Sequence, residues 1–300
     1  MKKNMLLLNT VRGVKKSPGR FVAILIIIAI GCAFYAGLSA VSTDLKNSGW
    51  KYYREYALAD VQIKSTLGFN GDEIEKLSDG EHFDGGYAGY SADLLVENNG
   101  GQSAVTVLSY SPDQPLNKLY LMEGRLPEKA GECVADYDSM HKISFKIGDT
   151  VKLSADGDND VADYLNQSEY TVVGLVKSPV YVSYERGSTT IGTGSVSAFI
   201  YVPEENFAYD AYTDLYLSVT GAMAESVKPF SDEYNDIVAA AEEYAEEMSA
   251  QLLSERSDEI RADADEQIAD AKEKLADGQK KYDDAKKDYD KGLNEYNKSY

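Results

Sequence analysis

The chain of 300 residues carries 50 acidic against 30 basic side chains, a formal net charge of −20 that argues against nucleic acid as a partner. Two cysteines, Cys32 and Cys133, are too few for a disulfide framework. No HExxH, paired-cysteine or GxxxxGKS/T pattern is present, His82 and His141 stand alone, and the expectation is a chain without catalytic residues, metal or cofactor.

In chain order, residues 1–20 form a basic segment. Met5 to Val14 is apolar on one side, which suits a short helix at a membrane interface, and Lys15-Lys16-Ser17-Pro18-Gly19-Arg20 breaks it. Phe21 to Val41 then runs for 21 residues without a charge. At about 1.5 Å per residue this reaches roughly 31 Å, enough to cross a hydrocarbon core of about 30 Å, so a transmembrane helix is expected over 21–43. Lys2, Lys3, Arg12, Lys15, Lys16 and Arg20 precede it, and the first acid is Asp44. The amino end is therefore expected in the cytoplasm and residues 44–300 outside. That outer part holds all 50 acids and 24 of the 30 bases, a formal −26. Two rival readings are a lipoprotein acylated at Cys32, after Ala29-Ile30-Gly31, and a signal peptide cleaved near Leu38-Ser39-Ala40.

Residues 44–118 read as the first half of an external α+β layer. Trp50, Tyr52 and Tyr53 fit either headgroup level or a helical extension above the membrane. Ala57 to Ser65 alternates in the strand manner, and Asn70-Gly71-Asp72 opens a short helix from Asp72 to Leu77. Strands over Tyr87–Val96 and Ala104–Tyr110, joined at Asn98-Asn99-Gly100-Gly101, make a hairpin.

From Leu119 the texture changes to short strands and tight turns, and residues 119–196 read as a small inserted β subdomain. Its segments are Gly124-Arg125-Leu126-Pro127, Gly131-Glu132-Cys133-Val134, Ile143–Leu153 turning at Gly148-Asp149, and Tyr170–Val176, with Cys133 a buried strand residue. Asp156 to Asp160 spaces oxygens as a calcium loop begins. Val161 at the glycine position and Gln167 at the bidentate-acid position make a polar hairpin tip the better reading. Gly187 to Ser195 is glycine-rich but lacks the lysine of a phosphate loop. Strands at Phe199–Pro203 and Leu215–Val219 return the chain to the α+β layer over 197–230.

Residues 231–300 read as one long helix starting at Ser231, with Asp232 and Glu233 at its amino end. A wide apolar stripe through Tyr234, Ile237, Ala241, Ala245 and Leu252 narrows to Ile268, Leu275, Tyr282, Tyr289 and Tyr296, each seven apart. Ala271, Gly278, Ala285 and Gly292 follow three residues behind, so large and small side chains alternate along a coiled-coil seam. The competing reading is a lone solvated helix braced by pairs such as Asp270–Lys274, Asp277–Lys281 and Asp283–Lys287.

The segments KKSPGRFVAILIIIAIGCAFYAGLSA, ALADVQIKSTLGF, MEGRLPEKAGECV, FKIGDTVKL and YTVVGLVKSPVY occur in this order and spacing. Together they resemble the amino-terminal part of the FtsX-like, or MacB-type, permease family over most of residues 10–220. The resemblance implies a bacterial cell-membrane protein whose α+β core domain is split by a β subdomain. It also implies a cytoplasmic ATP-binding cassette ATPase as partner, with membrane lipid and a second permease copy or pseudo-copy beside it. Helix 5–14 with Arg12, Lys15, Lys16 and Arg20 is the expected ATPase contact. Family members carry further spanning helices, expected here beyond Tyr300, and often an external coiled-coil hairpin. Residues 231–300 would be its outgoing arm, met by a returning helix or another helical protein. The leading expectation is a non-catalytic permease subunit that couples the ATPase to an external domain. The alternatives are a single-anchor surface adhesin or scaffold and an extracytoplasmic ligand-binding lipoprotein.

Overall fold

A computed structural model describes residues 5–78, 80–98, 101–137, 143–224, 226–228 and 230–299. It divides into two units, Met1–Ala240 and Ala241–Tyr300.

The first unit opens with α1 (Met5–Lys16) and α2 (Pro18–Glu55). Proline is tolerated in a first turn, where its missing N–H has no partner to lose, so Pro18 ends one helix and starts the next at Ser17. Every side chain from Phe21 to Ser48 is exposed, as an apolar helix meant for lipid requires. The aromatic segment after it is a helical extension, and Trp50 is buried rather than placed at headgroup level.

β1 (Val61–Phe69) is followed by α3 (Gly71–Leu77), whose first turn is closed by a reciprocal cap. The Asn70 side chain accepts from the Glu73 N–H at 2.9 Å, and Glu73 Oε2 accepts from the Asn70 N–H at 2.8 Å. β2 (Phe83–Gly89) and β10 (Tyr212–Val219) complete an antiparallel sheet in the order β1-β10-β2.

The remaining strands are β3 (Ser91–Asn98), β4 (Gly101–Tyr110), β5 (Tyr120–Gly124), β6 (Glu132–Asp136), β7 (Thr150–Ser154), β8 (Glu169–Lys177) and β9 (Val196–Pro203). They form a sheet ordered β5-β8-β6-β9-β4-β3-β7, and a further β7–β8 pairing closes six of them into a ring. Leu94, Val105, Val107, Cys133, Tyr170 and Ile200 are among the side chains that fill its inside. Burial of about 1.5–3 kcal/mol per large apolar side chain holds such a ring together.

The single strand expected over Tyr87–Val96 is two strands in different sheets, broken at Tyr90. There the Tyr90 N–H donates to Ser109 Oγ at 2.8 Å and the Ser109 N–H donates to the Tyr90 carbonyl at 2.9 Å. Ser91 instead gives its N–H to Thr213 Oγ1 at 2.7 Å. The change of sheet therefore falls at Tyr90, ahead of Leu119, and β3, β4 and β9 share one sheet with the strands of 119–196. The expected Ile143–Leu153 segment is strand only from Thr150 on, within β7, because the Lys146 N–H donates to Asp149 Oδ2 and folds the preceding part into a turn. Asp160, in the acidic run, caps the short helix Val161–Asp163. Cys133 is buried in β6, and burial pushes its thiol up to about 12. Asn98 pairs with Gly101, while Asn99, Gly100 and His141 lie outside the described residues. His82 is partly buried.

α4 (Asp232–Ser299) begins in the first unit and makes up the second. Its start is as the sequence suggests, the Tyr234 N–H donating to Ser231 Oγ at 3.3 Å. Within the second unit Ala241, Ala245 and Leu252 are buried, and from Asp258 on every described side chain is exposed.

Candidate functional site at the helix-domain junction

The end of α2 meets the external domain in a cluster of rings. Trp50 is 6% exposed and lies edge-on to Phe230 (5.7 Å between centroids) and to Tyr234 (5.1 Å). Tyr53 reaches Phe230 at 6.1 Å, while Tyr52 lies tilted against Tyr56 at 4.8 Å, and Tyr56 meets Tyr120 of β5 at 5.3 Å. Edge-on aromatic pairs each add about 0.5–1.5 kcal/mol beyond the area they bury.

Backbone bonds tie the same place together. The Asn117 N–H donates to the Ala57 carbonyl at 2.7 Å, the Lys118 N–H to the Tyr56 carbonyl at 2.8 Å, and the Ala59 N–H to Asn117 Oδ1 at 3.0 Å. Gln114 Nε2 braces this loop by donating to the Asn117 and Leu116 carbonyls. Asp60 joins the next two elements: its Oδ2 accepts from the Val219 N–H of β10 at 2.8 Å, and its Oδ1 from the Tyr234 hydroxyl of α4 at 3.0 Å.

Among the described residues, the non-glycine residues with positive φ are Ala57 (47°), Asn117 (55°) and Phe230 (51°), and all three stand at this junction. Asparagine tolerates that region, but alanine and phenylalanine held there store about 1–3 kcal/mol each. Strain of this kind persists only where the surrounding contacts over-determine the backbone.

Burial raises the Asp60 carboxyl above its ordinary 3.8, with Asp84 adding to the rise and the bonds from Val219 and Tyr234 opposing it. The folded state thus holds the proton more tightly than the unfolded state. Asp60's contribution to stability is then fullest below 3.8 and is lost as pH rises through the folded value. Urea unfolding of wild type and Asp60→Asn between neutral and acid pH should show wild type gaining on the variant as pH falls. A gap that is flat with pH, or widens the other way, contradicts it.

Beside the junction, Tyr52 and Tyr120 line a cleft of ≈ 510 Å³ with Tyr181 and Phe199. Its floor is a buried ion pair: Arg186 Nε donates to Asp136 Oδ2 at 2.6 Å and Nη2 to Oδ1 at 2.9 Å. Nη1 donates to the Tyr181 and Ser183 carbonyls, and the guanidinium lies 5.5 Å from the Phe199 ring centre. Burial pushes the Tyr181 hydroxyl up to about 12, so it is neutral at physiological pH. Among the described residues no group of three or more His, Cys, Asp or Glu is placed to hold a metal ion.

The residues singled out from sequence sit apart from this site. Arg12, Lys15, Lys16 and Arg20 are exposed around the α1–α2 break. Ile268, Ala271, Leu275, Gly278, Tyr282, Ala285, Tyr289 and Gly292 lie exposed along α4, and the Tyr296 side chain is outside the described residues. Sequence reading missed Asp60, Asn117, Phe230, Asp136 and Arg186. Asp136 alone left a signal, as a carboxylate ending the apolar run Cys133-Val134-Ala135.

Residues 21–274 match the family described as MacB-like periplasmic core domain. The chain belongs to that family. Membership makes it a permease subunit of an ABC-type transporter, a membrane component with an external α+β core domain, and implies a cytoplasmic ABC ATPase as partner. Among the solved structures that are similar are two at 12% identity. The extracellular domain of the noncanonical ABC-type transporter YknZ from Gram-positive bacteria has a TM-score of 0.32, covering 53% of this chain and 76% of that one. The periplasmic region of MacB from Actinobacillus actinomycetemcomitans has a TM-score of 0.33, covering 63% and 75%. No curated protein matches the sequence.

Proposed function

We propose that this permease subunit couples its ATPase to movement of the external domain, with α2 as the transmitting element. The observation that carries this reading is the continuity of α2. It runs 38 residues without a break. That is about 57 Å against a hydrocarbon core of about 30 Å. It ends inside the ring cluster of Trp50, Phe230 and Tyr234. A helix satisfies its backbone bonds internally and resists shortening, so displacement at its inner end is delivered to the junction.

The exposed Arg12, Lys15, Lys16 and Arg20 favour a cytoplasmic amino end and give α1 a face for anionic lipid and for the ATPase. The stripe from Ile268 to Tyr296 is the effector end in this reading, a seam for a returning helix or another helical protein. What the external domain engages there completes the coupling.

The test uses the full complex in membranes, with a fluorophore on Asp158→Cys. Wild type should give an ATP-dependent signal, and Ser42→Pro should abolish it while ATP hydrolysis continues, because proline inside a helix costs about 3 kcal/mol and kinks it. In intact cells an impermeant maleimide should reach Asp158→Cys but not Ser17→Cys. A signal indifferent to Ser42→Pro sinks the coupling, and labelling at Ser17→Cys alone reverses the orientation.

A further inference from the structure

The cleft of ≈ 510 Å³ beside the junction falls within the range of about 300–1,000 Å³ for sites that take small organic molecules. Among the described residues, five of the eleven that line it are aromatic, Tyr52, Tyr120, Tyr181, Tyr184 and Phe199, and Val182 is the single aliphatic one. Tyr181 and Phe199 form a stacked pair in the wall, 4.7 Å between centroids. Walls of this kind suit a flat ring better than a flexible acyl chain, because ring pairs gain more than the area they bury.

Charge sets the polar side. Lys177 and Arg186 line the cleft against one acid, Asp136, in a chain whose net charge is −20. The acids nearest along the chain, Glu55 and Glu185, are exposed and stand outside the lining. Asp93 and Asp214 act on the Tyr181 hydroxyl, also from outside the lining, and each is bonded elsewhere, Asp93 to Thr106 and Asp214 to Lys64. Arg186 has one donor to spare. Its side chain is 7% exposed. Its Nε–H and one Nη2 N–H go to Asp136, and its two Nη1 N–H groups go to the Tyr181 and Ser183 carbonyls. The second Nη2 N–H has no acceptor among the described residues. A buried donor in that state favours any oxygen brought within its reach.

We infer that this cleft binds a small organic anion, a carboxylate carried on an aromatic ring. The ring lies among the tyrosines and Phe199, and a carboxylate oxygen accepts from the spare Nη2 N–H of Arg186. The Lys177 ammonium, 5.6 Å from the Tyr137 ring centre, supplies the opposite charge. A cation is turned away by the same two groups. The site does not depend on the coupling proposed for α2, although Tyr52 puts the end of that helix in its wall.

The experiment uses the complete transporter with its ATPase in nanodiscs, empty nanodiscs as the blank, and calorimetric titration of three probes: naphthoate, naphthylmethylammonium and decanoate. Naphthoate should bind about tenfold tighter than either of the others, and its lead over the ammonium probe should shrink as salt is raised. Lys177→Gln should weaken naphthoate about tenfold and leave decanoate no better than before. Val182→Trp, at a position 59% exposed, should fill the cleft and abolish naphthoate binding. Both variants keep Arg186 and Asp136, and urea unfolding like that of wild type shows that they are folded. Equal binding of the ammonium probe overturns the anion, and tighter binding of decanoate overturns the aromatic ring. Naphthoate binding that survives both substitutions lies elsewhere and overturns the site. Binding of no probe means that the assembled protein covers the cleft itself, which overturns the inference as well.

Discussion

Replacing Arg186 with methionine should lower the stability of the external domain by about 3–5 kcal/mol, since it takes the guanidinium away from a carboxylate that water cannot reach. Asp136 has a side chain 1% exposed and accepts a bond from this guanidinium on each of its oxygens. The Tyr181 and Ser183 carbonyls lose their donor at the same time, and the Phe199 ring its cation. The pair is expensive to break, yet it is not in itself a large source of stability, because forming it desolvates two charges. Asp136→Leu combined with Arg186→Met should therefore recover most of the loss. Urea unfolding followed by circular dichroism measures both. A single variant within about 1 kcal/mol of wild type, or a double variant as weak as the single, contradicts the account.

Trp50→Ala should cost about 3–5 kcal/mol, the usual range for removing a large buried ring, and Trp50→Phe clearly less. The loss falls on the contact that joins the end of α2 to Phe230 and to the first turn of α4. Beyond lowered stability, the ATP-dependent signal from the external domain should shrink in Trp50→Ala while the membrane anchor stays inserted. Trp50 is the chain's single tryptophan, so its intrinsic fluorescence reports on this junction without a label. In wild type the emission should be that of a buried indole and shift when ATP is turned over. A Trp50→Ala protein as stable and as responsive as wild type would remove the junction from the mechanism.

Local chemistry made some elements legible. The apolar run of α2, the proline that separates it from α1, and the Asn70 cap of α3 each follow from interactions within a few residues. The segment MEGRLPEKAGECV is the clearest case. Gly124 has φ +77, and any Cβ there would lie 2.3 Å from the Val173 carbonyl oxygen, while Arg125 closes the turn with paired bonds to Glu132. That bond holds the Glu132 carboxyl at about 2. Apart from the β3–β4 hairpin, which its Asn and Gly turn residues announce, strand pairing was not legible, because alternation reports which face is buried and not which strand lies alongside. Tyr90 reads as the middle of one strand until Ser109, nineteen residues on, takes its N–H. Asp136 and Arg186 are fifty residues apart and meet only once β6 and the loop after β8 are in place. The left-handed residues at the junction are likewise a product of contacts between segments distant in sequence.

The length of α2 also sets a scale of movement. Fourteen of its residues lie between Val41 and its end at Glu55, an outer arm of about 21 Å. With the membrane exit as fulcrum, a tilt of roughly 10° swings the far end of that arm by on the order of 4 Å. Packed rings lose a quarter to a half of their contact energy at a gap of about 0.5–1 Å, so Trp50, Phe230 and Tyr234 cannot absorb such a swing by stretching apart. They travel together or they separate. Under the coupling proposed above, a small angular change of α2 in the bilayer would reach the junction as a displacement of several ångströms, applied at once to the start of β1 and to the first turn of α4.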